Sequence, residues 1–367
     1  MSAPMDKPDD ASAEPAIARH RAAIDALDSE ILARLNERAQ HALTIGELKG
    51  GVAAYRPERE AQVLARVTAA NAGPMSNTAV TAVFRQVMSA CLALEQPLRI
   101  GYLGPAGTFS HAAVARHFGS AVEPMPLPTI DEIFRALDSG QTDFAVVPVE
   151  NSTEGAVGRT LDLMCTTDLS VCGEVKLRIQ QNLLSNAGAL DRITKVYSHA
   201  QSLAQCVQWL ARNLPAVPRI AVASNAEAAR LAAAEPGAAA IAGENAGAIY
   251  GLATLAPHIE DEPNNTTRFW VLGRQKIGRS GRDATSLVMS CPNRPGAVVE
   301  LLEPLARHGV SMSRFESRPA RTGLWEYLFF VDIVGHRDDP PVATALAELA
   351  TKAPFLKLLG SYPAALD

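Results

Sequence analysis

The sequence predicts three units on one chain: an all-helical unit, a two-lobed α/β unit and a smaller α+β unit of ferredoxin-like strand order. Three observations predict it. Residues 16 to 49 hold no proline and repeat apolar residues at helical spacing. From Leu98 onward, short apolar runs alternate with amphipathic helices. From residue 284 the pattern reads strand, helix, strand, strand, helix, strand. A length of 367 residues accommodates two or three domains. The expected boundaries are a disordered leader over 1–15, a helical unit over 16–96, an α/β unit over 97–275 and the last unit over 284–364.

The leader "MSAPMDKPDDASAEP" lacks the apolar core of a signal peptide. Behind it, Ile17, Ile24, Leu27, Ile31, Leu35, Leu43 and Leu48 recur on one helical face, with Pro15 suited to start the helix and Gly50-Gly51 to end it. Such a helix runs about 50 Å. Alone it cannot bury its stripe, so the expectation is packing against a partner subunit. Two more helices are expected over 57–70 and 76–95, around "NAGPMSN".

In the α/β unit, "LRIGYLG", "DFAVVPVE", "ITKVYSH", "RIAVAS", "AAAIAG" and "RFWVLG" read as mainly parallel strands, with helices over 129–139, 200–213 and 225–234 between them. A polar linker, "RQKIGRSGRD", leads to the last unit.

A net charge of −5 gives no case for nucleic acid or an anionic membrane as partner. No run approaches the roughly 18 apolar residues of a spanning helix. The five cysteines form no CxxC pair and lie near no histidine, which suits a reducing cytoplasm rather than a disulfide framework or a zinc site. No metal or cofactor is expected.

In the helical unit, Arg38 and Lys49 share a face, about 20° apart on the wheel, while Arg21 points elsewhere. "YRPERE" sets Arg56 and Glu60 one turn apart. On composition alone these are a solvated face. In a dimer-packed helix the cations face a bundle interior instead, where arginine forks suit dicarboxylates.

In "IGYLGPAGTFSHAA", glycines between a strand and a helix invite a dinucleotide reading. The spacing is GxxGxxG, however, and Pro105 removes a donor where pyrophosphate would need one. Two readings remain: an anion loop presenting Thr108, Phe109 and Ser110 at a helix start, or a plain turn with Ser110 as cap. "VPVENSTEGAV" ends a strand in Glu150 and Asn151, and "YSHAQSLAQC" ends one in Ser198 and His199 before Gln205. "NNTTRFW" crowds amides, hydroxyls and Arg268 onto the mouth of an apolar strand, where unpaired polar groups are costly. Neutral hydrogen bonders on four strand ends point to a ligand.

These motifs carry a resemblance. The helical segment is similar to the chorismate mutase domain of the bifunctional chorismate mutase–prephenate dehydratases. The resemblance implies intertwined protomers, with Arg21 supplied by the partner to a site holding Arg38, Lys49 and Glu60. Arg56 stands where some members carry aspartate, Cys91 where some have serine, and Glu95 where some have glutamine. The segment carrying "GPAGTFSHAA", "VPVENSTEGAV", "SHAQSLAQC" and "NNTTRFWVLG" resembles prephenate dehydratase. That implies lobes of the periplasmic-binding type, Thr267 as the essential hydroxyl, and Asn151, Ser198 and Gln205 as neighbours. Arg268 either holds a substrate carboxylate or ties the lobes together. "NRPGAVVELL" and "ESRP" resemble the ACT domain of the same enzymes. The implied L-phenylalanine site draws on Asn293, Pro295, Gly296, Ala297, Glu316, Ser317 and Arg318. The expected activity converts chorismate to prephenate and then to phenylpyruvate in a homodimer or larger assembly. A solute-binding protein and a mutase–dehydrogenase fusion are the rival readings; the first lacks a reason for the helical unit, the second a true dinucleotide loop.

Overall fold

The computed structural model describes residues 10–48, 55–291, 294–319 and 327–365. Three helices come first: α1 (Asp10–Leu48), α2 (Pro57–Ala69) and α3 (Asn77–Ala93). Helix α1 begins earlier than expected, with Pro15 inside it. Pro15 gives up one hydrogen bond near the helix start, while the alanine-rich "DASAEPA" around it favours helix. The stripe of α1 stays uncovered within one chain: Ile24, Leu27 and Ile31 are each 55% exposed.

The α/β segment runs β1 (Arg99–Leu103), α4 (Phe109–Phe118), β2 (Glu123–Leu127), α5 (Ile130–Ser139), β3 (Phe144–Asn151), β4 (Gly155–Ala156), α6 (Gly158–Thr166), β5 (Ser170–Arg178) and β6 (Asn182–Leu184). It continues through β7 (Lys195–His199), α7 (Ala200–Ala204), α8 (Val207–Asn213), β8 (Arg219–Val222), α9 (Asn225–Ala234), β9 (Ala238–Ala242), α10 (Glu244–Tyr250), β10 (Thr254–Ala256) and β11 (Thr266–Gly273). Two sheets result, β2-β1-β3-β11-β5 with β4 beside β3, and β10-β6-β9-β7-β8, one for each lobe. Both are mixed rather than mainly parallel. Strand β11 runs antiparallel to β3 and β5, and β6 runs antiparallel to β9 and β10. The helix expected over 200–213 breaks into α7 and α8, because Cys206 leaves helical geometry to bury completely.

The last segment, β12 (Asp283–Ser290), α11 (Ala297–Arg307), β13 (Met312–Pro319), β14 (Tyr327–Val334), α12 (Pro340–Lys352) and β15 (Phe355–Pro363), forms the sheet β13-β14-β12-β15. Its order is the expected βαββαβ. It does not hang from a free linker. Ile277 is buried, and Asp283 accepts hydrogen bonds from the backbone of Ser280 and Gly281. One apolar core holds Trp270, Val171 and Leu161 of the first lobe together with Val288, Phe330, Leu359 and Tyr362. The edges of β5 and β15 meet backbone to backbone: a Cβ on Gly360 would lie 2.2 Å from the Val171 carbonyl oxygen.

Candidate active sites

A cleft of about 420 Å³ opens between the two lobes. The start of β11 pairs with the end of β3, Thr267 opposite Asn151, so "NNTTRF" arrives where the parallel strands end. Asn151 Oδ1 accepts from the backbone N–H groups of Thr153 and Glu154 and from the Thr153 hydroxyl, at 3.0, 3.2 and 2.6 Å. Those donors fix the amide. Its Nδ2 then donates to Thr267 Oγ1 at 2.8 Å and to Asn265 Oδ1 at 2.9 Å. A hydroxyl that accepts from an amide keeps its own proton to donate. The expensive polar group at the mouth of the dry strand is thus partnered on one side and armed on the other.

The second lobe faces it with a network that the motifs only partly foretold. Ser202 Oγ accepts from Gln181 Nε2 at 3.0 Å and from Asn225 Nδ2 at 2.8 Å. Gln181 also donates to Gln205 Oε1 at 3.2 Å, which leaves the Gln205 amide nitrogen for the cleft. Ser198 does not line the cleft. Its buried hydroxyl has one proton to share between the Ile241 carbonyl at 2.9 Å and Asn225 Oδ1 at 3.1 Å, so it supports Asn225 from below. Sequence reasoning singled out Ser198 and passed over Gln181, Ser202, Asn225 and Asn265. The quoted motifs contained Ser202 and Asn265, but only the fold separates cleft from floor.

Helices α4 and α9 both begin at the cleft, with Thr108 and Ser224 as N-caps that accept from His111 and Glu227 N–H groups. Ser110 and Phe109 line it too, and Phe109 closes on the second lobe: a Cβ on Gly243 would lie 2.9 Å from its ring. Among the described lining residues there is no lysine, arginine, aspartate or glutamate. Two helix N-termini, the His199 imidazole and a ring of neutral donors are what remain to meet negative charge.

Glu150 and Arg268 do not line this cleft. Arg268 turns to the opposite face of β11, where Nε donates to Glu174 at 2.7 Å, Nη2 to the Tyr362 hydroxyl at 3.0 Å, and Nη1 to Asp332. Burial works against its charge, but Tyr362, Asp332 and Glu174 more than offset it and raise the guanidinium pKa. Neither expected role of Arg268 matches these contacts, since Asp332 and Tyr362 belong to the last sheet.

The helical unit looks different. Arg21 is exposed and about 25 Å along α1 from Arg38, so one chain does not bring them together. Lys49 lies outside the described residues. Arg56 and Glu60 meet at a small pocket of about 160 Å³, with Arg59, which sequence reasoning missed, between them. Glu60 sits 3.3 Å from Arg85. Burial raises its pKa although Arg85 pulls the other way. Beside it the Tyr55 hydroxyl is 2.9 Å from His117 Nε2, joining the helices to α4. Cys91 is buried, and Glu95 lies against α1, where a Cβ on Gly46 would be 2.5 Å from its Cδ.

In the last unit, β14 residue Leu328 pairs with Ser290 on one side and Arg318 on the other. That register carries the Pro295-Gly296-Ala297 turn and the "ESRP" strand to the same end of the sheet. Gly296 takes φ 81°, which favours glycine, as the N-cap of α11. Glu316 and Ser317 alternate across β13, so they face opposite sides. Arg318 Nη2 is 3.4 Å from Asp162 on the α/β segment. Asn293 lies outside the described residues.

A donor-lined interlobe cleft, fused behind a helical unit and ahead of a ferredoxin-like sheet, marks a multi-unit protein built around a small-molecule site. Family profiles agree with each part: chorismate mutase type II over residues 20–96, prephenate dehydratase over 100–277, and ACT domain over 285–351. A bifunctional chorismate mutase/prephenate dehydratase from Neisseria gonorrhoeae is 58% identical, across 95% of this chain and 97% of its own. One from Stutzerimonas stutzeri is 49% identical, across 94% and 97%. The solved structure of a prephenate dehydratase from Arthrobacter aurescens in complex with L-Phe matches at 35% identity and TM-score 0.67, over 72% of this chain and 90% of that one. The chain belongs to the bifunctional chorismate mutase/prephenate dehydratase family, and carries both activities.

Proposed function

We propose that the interlobe cleft is where prephenate loses CO2 from C1 and hydroxide from C4, with Thr267 as the donor to the departing oxygen. The observation that carries this is the hydrogen bond from Asn151 into Thr267 Oγ1, which leaves the threonine proton free. As the C1 carboxylate departs, its bonding electrons enter the ring, the C4–O bond breaks, and aromatisation drives the step. A hydroxyl is too weak an acid to transfer its proton outright. Thr267 therefore stabilises developing negative charge, with the Gln205 amide as neighbour and Ser198 as a positioning residue through Asn225. The substrate's carboxylates find the first turns of α4 and α9 rather than cations.

The mutase site draws on Arg38, Arg59, Glu60 and Glu95, with Lys49 assigned to it by the resemblance alone, and is completed by Arg21 of a second copy whose α1 covers the exposed stripe. The rearrangement needs a clamp on the reactive conformer and no nucleophile. L-Phenylalanine binds the last unit at the end of the sheet where Gly296 and the "ESRP" strand meet, and inhibits the dehydratase. All five cysteines are free, which fits the cytoplasm as compartment. The test is chorismate turnover followed to phenylpyruvate by ultraviolet absorbance, with and without phenylalanine. Thr267→Ala is expected to accumulate prephenate; continued phenylpyruvate formation at the wild-type rate contradicts the reading.

A further inference from the structure

Strands β3 and β11 carry two successive rungs. The first, Asn151 opposite Thr267, faces the cleft. The second, Glu150 opposite Arg268, faces the other side of the sheet, as the two-residue period requires. Both members of this second rung are held by the last unit. Arg268 reaches Asp332 and Tyr362, and Glu150 Oε2 lies 2.7 Å from Arg314 Nε on β13. The Arg314 side chain is only 9% exposed, and its nitrogens are aligned for no hydrogen bond among the described residues, so its ties are charge to charge. Its second tie is to Glu316, whose Oε2 is 3.9 Å from Arg314 Nη2. Glu316 opens the "ESRP" motif.

We propose that Arg314 is a positioning residue for the dehydratase, shared between Glu150 beside the catalytic rung and Glu316 beside the effector site. The inference rests on reading the last unit as the phenylalanine site. One buried cation stands between two carboxylates. A phenylalanine ammonium drawn to Glu316 competes with Arg314 for that carboxylate and repels the guanidinium, which is already in contact with Glu150 and re-aims against it, carrying that carboxylate with it. Glu150 moves the end of β3, and the 2.8 Å contact of Asn151 with Thr267 changes with it. Allosteric coupling of this kind is typically about 5–150-fold in affinity, and it is reciprocal.

The experiment uses full-length Arg314→Met, Arg314→Lys and Glu150→Gln chains. Phenylalanine binding is measured by calorimetry, and both activities by steady-state kinetics. In Arg314→Met, phenylalanine is expected to bind while dehydratase inhibition weakens at least tenfold, with kcat lowered, KM near wild type and mutase turnover unchanged. Arg314→Lys keeps the charge and is expected to restore part of the inhibition. Glu150→Gln cuts the same link from the other side, so a misfolded Arg314→Met leaves the proposal testable. Inhibition at the wild-type phenylalanine concentration in both Arg314→Met and Glu150→Gln overturns the relay. Equal loss of binding and inhibition overturns it too, because Arg314 would then be an effector ligand. Wild-type chains that bind no phenylalanine would remove the reading of the last unit, and the relay with it.

Discussion

The dehydratase cleft and the helical unit are built on opposite plans. In the cleft, one chain supplies both walls, and the polar groups around Thr267 hold one another in place. In the helical unit the apolar stripe of α1 lies open, and Arg21 sits about 25 Å from Arg38. The lesson is that a site's completeness follows from where its burial comes from. Two lobes that bury their own cores can close a cleft between them, whereas a lone helix must borrow its cover, and residues along it become a site only when the borrowing happens.

Breaking the self-contained site gives the largest effect. Thr267→Ala is expected to lower dehydratase kcat by about 10²–10³-fold, the usual cost of one preorganised donor, with mutase turnover near wild type. Equal loss of both activities in a folded variant would join the two sites rather than separate them.

Next in size is Arg268→Met, which leaves Glu174 and Asp332 buried without their cation. Breaking a buried pair in this way costs about 3–5 kcal/mol, read as a lowered chemical-denaturation midpoint. A variant of unchanged stability would show that the last sheet does not depend on that guanidinium.

The helical unit responds to Glu95. An ionised carboxylate only accepts hydrogen bonds, whereas the glutamine of some family members donates. Glu95→Gln, which supplies a donor at that place, is expected to raise mutase kcat several-fold with dehydratase turnover unchanged. Mutase kinetics unmoved by the substitution would mean that Glu95 does not meet the substrate.

The smallest effect lies at the seam between the two regions. Burial, helped by the Arg85 charge, lowers the His117 pKa from 6.5 to about 3. The native chain therefore excludes a proton that the unfolded chain takes up. Stability from this group is complete above about pH 6.5 and is lost as pH falls towards 3. Thermal midpoints measured from pH 7.5 to 5 are expected to fall, less steeply in His117→Phe. An identical slope in the variant would place the acid sensitivity elsewhere.

How much of this was legible depended on whether the partner of each residue lay nearby in sequence. The three units and the four strand-end motifs were readable, because hydrophobic period and turn chemistry are local. Arg268 was misjudged because its partners Asp332 and Tyr362 lie in another unit. Strand periodicity alone already put it on the face opposite Thr267. Ser198 lies near the end of strand β7 and Ser202 in the helix that follows, and only packing decides that the first lies beneath Asn225 and the second before it. Arg59 stood in the quoted "YRPERE" and was passed over for Arg56, one turn earlier on the same face. The antiparallel β11 could not be inferred from its apolar run, since direction leaves no mark on composition.

The most direct test of the central claim mixes inactive chains. Arg21→Ala and Arg38→Ala chains, each lacking mutase activity, are unfolded together, refolded and assayed. If the mutase site is shared between copies, random pairing restores about a quarter of wild-type mutase turnover, because half the dimers are mixed and each rebuilds one intact site. Thr267→Ala mixed with Asn151→Ala is expected to restore no dehydratase turnover, since that site closes within one chain. Recovery of the dehydratase, or no recovery of the mutase, would contradict the account.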